Sequence, residues 1–394
     1  VAGFEVDPVV RELSAELLPR AEELAVGMAD RIRAEVPMYA EGLFLSGEEV
    51  IESCSDNLRY VLGSLAGRPD VRHDVPRATG AQRAERGLPY PALLQAYRIG
   101  GRYIWELLVA AADSSVRERL LRAAADIWAV TDDLSAEVTE GYRTTLADRA
   151  RRDVQIRAAR LGTLLDGDAD IAEQLWESAA VLKLPRNASF VVVTAECPSF
   201  GVEALPGIEE ILRRKNVVSA WRVDRDHQDG LIGLLPADGV ERLVGELKAL
   251  ARGRVGVSST FRRVDGAHDA HREARLAAAS GSPGTTEVVR FEDRPLAVLL
   301  AGTPEGAHAL ALSVLGEVLD LPPEDRKVVL ETARTWLAVA GSTSDAAGRL
   351  HIHRNTVRYR LRRLEELSGR DLAEPIGAAE LHVALECARI LGLG

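Results

Sequence analysis

The stretch HRNTVRYRLRRLEEL, from His353 to Leu367, restricts what this chain can be more than any other. At helical period, Val357, Leu361, Leu364 and Leu367 fall on one side, and Arg354, Asn355, Arg358, Tyr359 and Arg362 on the opposite side. The first side must be buried, so the segment needs a packed domain beneath it. The second is cationic and polar. Arginine fits a guanine edge and asparagine an adenine edge, each through two hydrogen bonds, and further arginines can hold phosphates. A charged helix more often presents a solvated face with acidic partners one turn away. Here few acidic residues come within reach before Glu365 and Glu366, which favours a nucleic-acid surface.

The residues just before it sharpen that reading. TSDAAGRLHI, Thr343 to Ile352, predicts a short helix with Ser342, Thr343 or Ser344 as N-cap and with Ala346, Ala347 and Leu350 turned inward. His351-Ile352 is then a tight connection, and the small alanines let the next helix cross closely, as in a helix-turn-helix. Val328, Val329, Ala333, Trp336 and Leu337 are the expected support beneath it, with a last helix from Ala378 to Leu391 burying Leu381, Leu385 and Ile390.

Three pieces together resemble the C-terminal DNA-binding domain of PucR-type regulators, a family that includes purine-catabolism and sugar-diacid regulators of bacteria. They are the run Leu330 to Ala340, the Asp345-Ala346-Ala347 helix, and His353 to Leu361 closing with Leu367-Ser368-Gly369. The resemblance implies a transcriptional regulator whose partner is double-stranded DNA. On that reading Arg354, Asn355 and Arg358 contact bases, while Thr356, Tyr359, Arg360, Arg362 and Arg363 hold the backbone or support the fold. A homodimer would set two such helices in successive major grooves about 34 Å apart on a roughly palindromic site.

At 394 residues the chain is too long for one ordinary core and predicts two or three domains. The net charge of -11 argues against a protein that coats nucleic acid over its whole surface. Between Arg326 and Asp371, however, ten Lys or Arg face five Asp or Glu, so this window carries +5 and the remainder -16. Such a distribution confines phosphate attraction to one patch. Cys54, Cys197 and Cys387 are far apart and form no CxxC, so neither a structural disulfide nor a zinc site is expected. No apolar run approaches the ~20 residues that span a bilayer. The first residues, VAGFEVDPVV, are acidic where an export signal is basic, and the reading is a cytoplasmic protein without membrane partners.

Nearly everything from Asp7 to Arg160 reads as helix. Val9, Leu13, Leu17 and Leu18 begin an amphipathic face that Pro37 should end. Gly47 to Leu65 forms a second face. RAERGLPYPALLQAYRIGGRYIWELL, Arg83 to Leu108, offers Leu94, Tyr97, Ile104, Trp105 and Leu108 for burial. Its Gly100 and Gly101 would weaken a helix unless another backbone came close. A plain helical bundle accounts for these features. The stretch from about Pro37 to Leu146 also resembles the N-terminal helical domain of RsbR-type co-antagonists, which implies a signal-receiving or dimerising module, with no catalytic residue to carry over. A small-molecule effector is compatible with that implication. The arginines 149, 151, 152, 157 and 160 then belong to a long connector with a solvated face.

From Asn187 the period changes. Phe190 to Glu196, Val217 to Val223, Gly230 to Pro236 and Arg254 to Thr260 read as strands, with helices at Gly207 to Lys215, Gly239 to Ala251 and Ala267 to Ala279. Strand, helix, strand, strand, helix, strand is the order of a split βαβ sheet with helices on one face. This part resembles the degenerate GGDEF-like domain that precedes PucR-type tails. The place of the glycine-glycine-acid-acid signature of active cyclases is held by Asp224-Arg225-Asp226-His227-Gln228-Asp229-Gly230, and Glu196, Asp224 and Asp226 only loosely suggest a cation site. His268 and His271 lack a third ligand and read as surface residues. Gly281 to Thr286 lacks the Lys-Ser/Thr end of a phosphate loop and reads as a turn. No catalytic residue, metal or cofactor is expected.

The expected architecture is therefore an all-α N-terminal bundle over residues 1–165, an α+β domain of ferredoxin-like, GGDEF-like type over 166–294, and an all-α helix-turn-helix domain over 295–394. Two other functions stay open: a nucleotide cyclase-like enzyme with a DNA-binding tail, and a stress-signalling scaffold that binds a protein partner.

Overall fold

Helical periodicity in the first third of the sequence becomes helix throughout in the computed structural model, which describes residues 6–167, 172–186, 188–234 and 239–393. The chain divides into two compact units between Asp153 and Val154. The first contains α1 (Pro8–Leu17), α2 (Ala21–Glu35), α3 (Pro37–Ala40), α4 (Gly47–Leu65), α5 (Val75–Glu85), α6 (Tyr90–Ala111), α7 (Arg117–Arg122) and most of α8 (Ala124–Leu165). The single helix expected up to Pro37 is two helices. Pro19 lies in a short 3-10 turn, Leu18–Arg20, that separates α1 from α2, and α2 stops at Glu35. A reciprocal capping box starts α4: Ser46 Oγ accepts from the Glu49 amide, and the Glu49 carboxylate accepts from the Ser46 amide.

The core of this unit gathers Leu58, Val61, Leu62 and Leu65 of α4 with Leu93, Ile104 and Leu108 of α6 and with Leu120 and Ile127. The buried face of α6 is set one residue earlier at its start than the sequence suggested, with Leu93 buried and Leu94 exposed. The tight backbone approach is also elsewhere. Gly100 and Gly101 have ordinary contacts with Met28, Trp128 and Thr131, whereas a Cβ on Gly80 would sit 2.0 Å from the Val138 carbonyl oxygen and one on Gly141 2.1 Å from that of Arg77. Helices α5 and α8 therefore cross on two glycines. A Gly80→Ala protein should lose about 1–3 kcal/mol of stability, because backbone rather than a side-chain tip must yield. The urea midpoint of the helical unit would report it.

In the second unit the end of α8 and α9 (Ala172–Val181) precede β1 (Ser189–Glu196), α10 (Ile208–Arg214), β2 (Val218–Asp224), β3 (His227–Leu234), α11 (Gly239–Leu250), β4 (Val255–Val257), α12 (Ala267–Ala279) and β5 (Val288–Arg290). The strands lie in the order β2-β3-β1-β4-β5. Strand β1 runs antiparallel to both β3 and β4, and β2 antiparallel to β3. This is the split βαβ arrangement read from the sequence, extended by β5, which pairs parallel to β4. The last part of the third predicted strand, at residues 235–236, lies outside the described residues.

The expectation of helices on one face is corrected. Phe190, Val192, Ala220 and Leu231 pack with Ala267, Ala270 and Ala274 of α12 and with Leu161, Leu164 and Leu165 of α8. Val191, Val193, Ile232 and Val255 pack instead with Ile208 and Leu212 of α10 and Leu243 and Leu247 of α11. Alternate residues of β1 thus enter two cores, which is why its sequence is continuously apolar rather than alternating.

The chain ends with α13 (Pro295–Ala301), α14 (Pro304–Leu319), α15 (Pro323–Ala338), α16 (Thr343–Leu350), α17 (Arg354–Ser368) and α18 (Pro375–Ile390). Their common core holds Val314, Leu315 and Val318, Val329, Leu330 and Ala333, and Leu381, Ala384 and Leu385. Among the described residues no single helix is long and apolar enough to cross a membrane.

Candidate nucleic-acid interface

Local sequence explains how α17 is aimed. Ser342 caps α16, its Oγ accepting from the Asp345 amide at 3.2 Å. At the other end His351 adopts the left-handed conformation (φ 54°), and the Ile352 amide donates to the Ala347 carbonyl at 3.1 Å. Histidine takes that conformation more readily than most side chains. The chain then reverses, and His353 caps α17 through Nδ1, which accepts from the Asn355 amide at 3.2 Å. The connection between the helices is thus three residues, His351 to His353.

Val357, Leu361 and Leu364 point into the domain core together with Ala346 and Ala347 of α16. Leu350 and Leu367 are partly buried against it. Burying one such leucine is worth roughly 1.5–3 kcal/mol, so this side of α17 cannot roll outward. Arg354, Asn355, Arg358, Tyr359, Arg362 and Arg363 are consequently exposed, Tyr359 to 70%, and Thr356 is intermediate. Gly369, left-handed at φ 63°, ends the helix.

The cations of this region differ in use. Arg360 turns toward the support helix and donates to Thr332 Oγ1 at 3.3 Å. Arg326 donates to the Leu319 carbonyl, and Arg370 is paired with Glu380. Arg334 is half-buried with Nε and Nη2 lacking hydrogen-bond partners, and burial pushes its guanidinium pKa down. Arg363 lies 3.7 Å from Glu366. Arg349, Arg354, Arg358 and Arg362, by contrast, are exposed and have no ion-pair partner among the described residues. Some surface arginines elsewhere, such as Arg20, Arg31, Arg102 and Arg213, are paired with glutamates, while others, such as Arg98, Arg117 and Arg143, are exposed without an ion-pair partner among the described residues. The outer face of α16 and α17 is therefore a cationic surface with its charge uncompensated.

The middle sheet contains a second polar cluster, which the sequence did not reveal. Asp229 on β3 is buried; its Oδ1 accepts from Thr194 Oγ1 at 2.9 Å and lies 3.1 Å from His271 Nε2. Its Oδ2 accepts from Arg222, which also donates to both oxygens of Asp166. Burial alone would raise the Asp229 carboxyl, but His271, Arg222 and Thr194 hold it down at about 2. His271 is buried, correcting the surface reading. Its Nδ1 and that of His268 both meet the Leu165 carbonyl, at 3.1 and 3.0 Å.

The acids weighed for a cation are otherwise occupied or apart. Glu196 is paired with Arg254, and Asp224 accepts from the Arg225 amide at the hairpin. Gly230 sits under the Trp221 ring of the neighbouring strand, which occupies the space beside its backbone. Among the described residues no group of three His, Cys, Asp or Glu is arranged to hold a metal. Cys54, Cys197 and Cys387 are free thiols, and burial pushes each of them up, Cys54 to about 12.

A short helix, a tight turn and a second helix with its charged side outward define a helix-turn-helix protein. Comparison with known families gives the kind. Residues 329–387 match the PucR C-terminal helix-turn-helix domain, residues 166–280 the GGDEF-like domain, and residues 22–157 the RsbT co-antagonist protein rsbRD N-terminal domain. The chain thus carries an RsbRD-type N-terminal domain, a GGDEF-like domain and a PucR-type C-terminal helix-turn-helix domain.

Among its relatives, the purine catabolism regulatory protein of Bacillus subtilis is 32% identical over 139 residues, 34% of this chain and 26% of that protein. The transcriptional activator PmfR of Paenarthrobacter nicotinovorans is 29% identical over 191 residues, 48% of this chain and 39% of that protein. This chain thus spans well under half the length of either relative. A regulator of polyketide synthase expression from Bifidobacterium adolescentis, of known structure, aligns at TM-score 0.31 and 22% identity, covering 61% of this chain and 94% of that one.

Proposed function

We propose that this protein binds double-stranded DNA through the outer face of α17 and regulates transcription. The observation that carries this reading is the row Arg354, Arg358 and Arg362, exposed and free of acidic partners, on a helix whose other side is fixed in the core. Arg354, Asn355 and Arg358, on the first turns, are assigned to base edges. Thr356, Tyr359, Arg362 and Arg363 are assigned to phosphates and sugars. Arg360 is a support, since its guanidinium is directed to Thr332. The PucR-type domain and the regulatory names of the two relatives favour the same reading.

In this proposal three functional parts follow one another: a helical sensor or dimerising part over 1–165, a GGDEF-like part over 166–294, and the DNA-reading part over 295–394. The protein acts in the cytoplasm as a homodimer, with half-sites about 34 Å apart. The middle part has no catalytic role, a reading supported by the pairing of Glu196 with Arg254 and by Trp221 over Gly230. Turnover of GTP or ATP with a divalent metal, abolished by changing Glu196 or Asp224, would overturn that part.

Sequencing the chromosomal fragments retained by the purified protein tests the whole. A small set of fragments sharing a two-fold repeat is the expected result, with affinity falling steeply as salt rises. Retention of no fragment, or of all fragments alike, would defeat the reading.

A further inference from the structure

The N-terminal helical unit holds a partly open cavity of about 40 Å³ between α2, α4, α5, α6 and α8. A single buried water needs only ~10–15 Å³ by the same measure, so the space admits a few more atoms than that. Its lining is apolar at Met28, Ile32, Val50 and Ile104. It also carries Arg83, which is 2% exposed.

Arg83 is unusual in its company. It donates to Ser53 Oγ at 2.7 Å and to Gln82 Oε1 at 2.6 Å, both neutral, and no carboxylate lies within ion-pair distance among the described residues. The neighbouring groups that could supply negative charge do not. Burial pushes the Cys54 thiol to about 12 and raises the phenols of Tyr39 and Tyr97, so all stay neutral. A buried cation is ordinarily matched by an anion. A second polar group beside it is also incomplete: Asn57 donates through Nδ2 to the Tyr97 hydroxyl at 3.2 Å, while its Oδ1 has no partner. Turned over about its last torsion, the same amide would accept from Tyr97 and offer its NH2 to the cavity.

We propose that this cavity is a binding site for a short-chain monocarboxylate of two or three carbons, held at its carboxylate by Arg83 and Asn57 and at its alkyl end by the apolar lining. The anion completes the charge that the helices leave uncompensated. The narrow interior favours a short acid, and the apolar lining favours an alkyl group over a wholly polar anion. The site lies in the unit proposed to receive signals, yet its occupancy is measured without DNA, so failure of the DNA-binding reading would leave it standing.

Calorimetric titration of the full chain with sodium propionate, against buffer matched in chloride, is the test. Saturable binding with one site per chain is expected, with none for propionamide and weaker binding for nitrate. Arg83→Met should weaken propionate by roughly tenfold or more, the worth of a charged hydrogen bond. Ala96→Val, which keeps the arginine but fills the cavity, should weaken it comparably, and carries the test if Arg83→Met does not fold. No saturable binding of propionate or acetate would overturn the proposal. So would equal binding by propionamide, tighter binding of nitrate, or an affinity unchanged in both variants.

Discussion

An Arg358→Ala protein is expected to lose about 1–3 kcal/mol of affinity for its operator and to tolerate a changed base pair at one position. The side chain is exposed and without an acidic partner, so its removal leaves the folded domain as it was. Circular dichroism and the thermal midpoint should therefore match the parent while operator affinity falls. Arg362→Ala, one turn further along α17, makes the contrasting case. It should weaken operator and random duplex alike and lower the slope of log affinity against log salt by about 1, the mark of a lost phosphate contact. Mobility-shift titrations at several salt concentrations on both duplexes separate the two roles. If both variants lose equally on both duplexes, neither arginine reads a base.

The largest loss of stability is expected from Asp229→Ala in the middle sheet. The substitution removes the carboxylate on which Arg222, His271 and Thr194 converge and leaves a mostly buried guanidinium with Asp166 alone. Breaking a buried pair from one side costs roughly 3–5 kcal/mol. The pH dependence has a definite sign. The folded carboxyl is held at about 2, below its ordinary value of 3.8. Its contribution is therefore complete above the ordinary value and is lost as pH falls toward 2. The gap in urea midpoint between the parent and Asp229→Asn should be widest near neutrality and shrink below pH ~4. A gap that is absent at neutral pH would remove the structural role given to this cluster.

Features set by neighbours along one helix were legible before any coordinates. The inward set Val357, Leu361 and Leu364 and the outward arginines follow from spacing alone, and the N-cap was narrowed to Ser342, Thr343 or Ser344, of which the structure uses Ser342. The succession of strands and helices along the middle domain was legible for the same reason, since each apolar run is local. What escaped depends on partners far along the chain. Asp229 looked like one acid in a polar hairpin because Thr194, Asp166 and His271 are 35 or more residues away. His271 has the spacing of a solvent face, yet α12 is packed under the sheet by alanines small enough to bring it in.

Charge counting erred in a similar way. The ten cations between Arg326 and Asp371 look equivalent as letters, but Arg326, Arg334, Arg360 and Arg370 are spent on packing and internal bonds. The uncompensated cationic face is therefore smaller than the sum suggested. Glycines misled for a related reason: the pair adjacent in sequence, Gly100 and Gly101, is the obvious one, while Gly80 and Gly141 meet only in space. Strand β5 has three residues and no periodicity to detect.

The bond from Arg360 to Thr332 pins α17 to the helix beneath it, and three apolar side chains nail the same surface down. A lever so clamped has no hinge of its own. In the proposed homodimer, a signal that alters DNA occupancy would carry this whole lobe to a new station, so a distance between labels on the two copies would change while distances inside the lobe held constant.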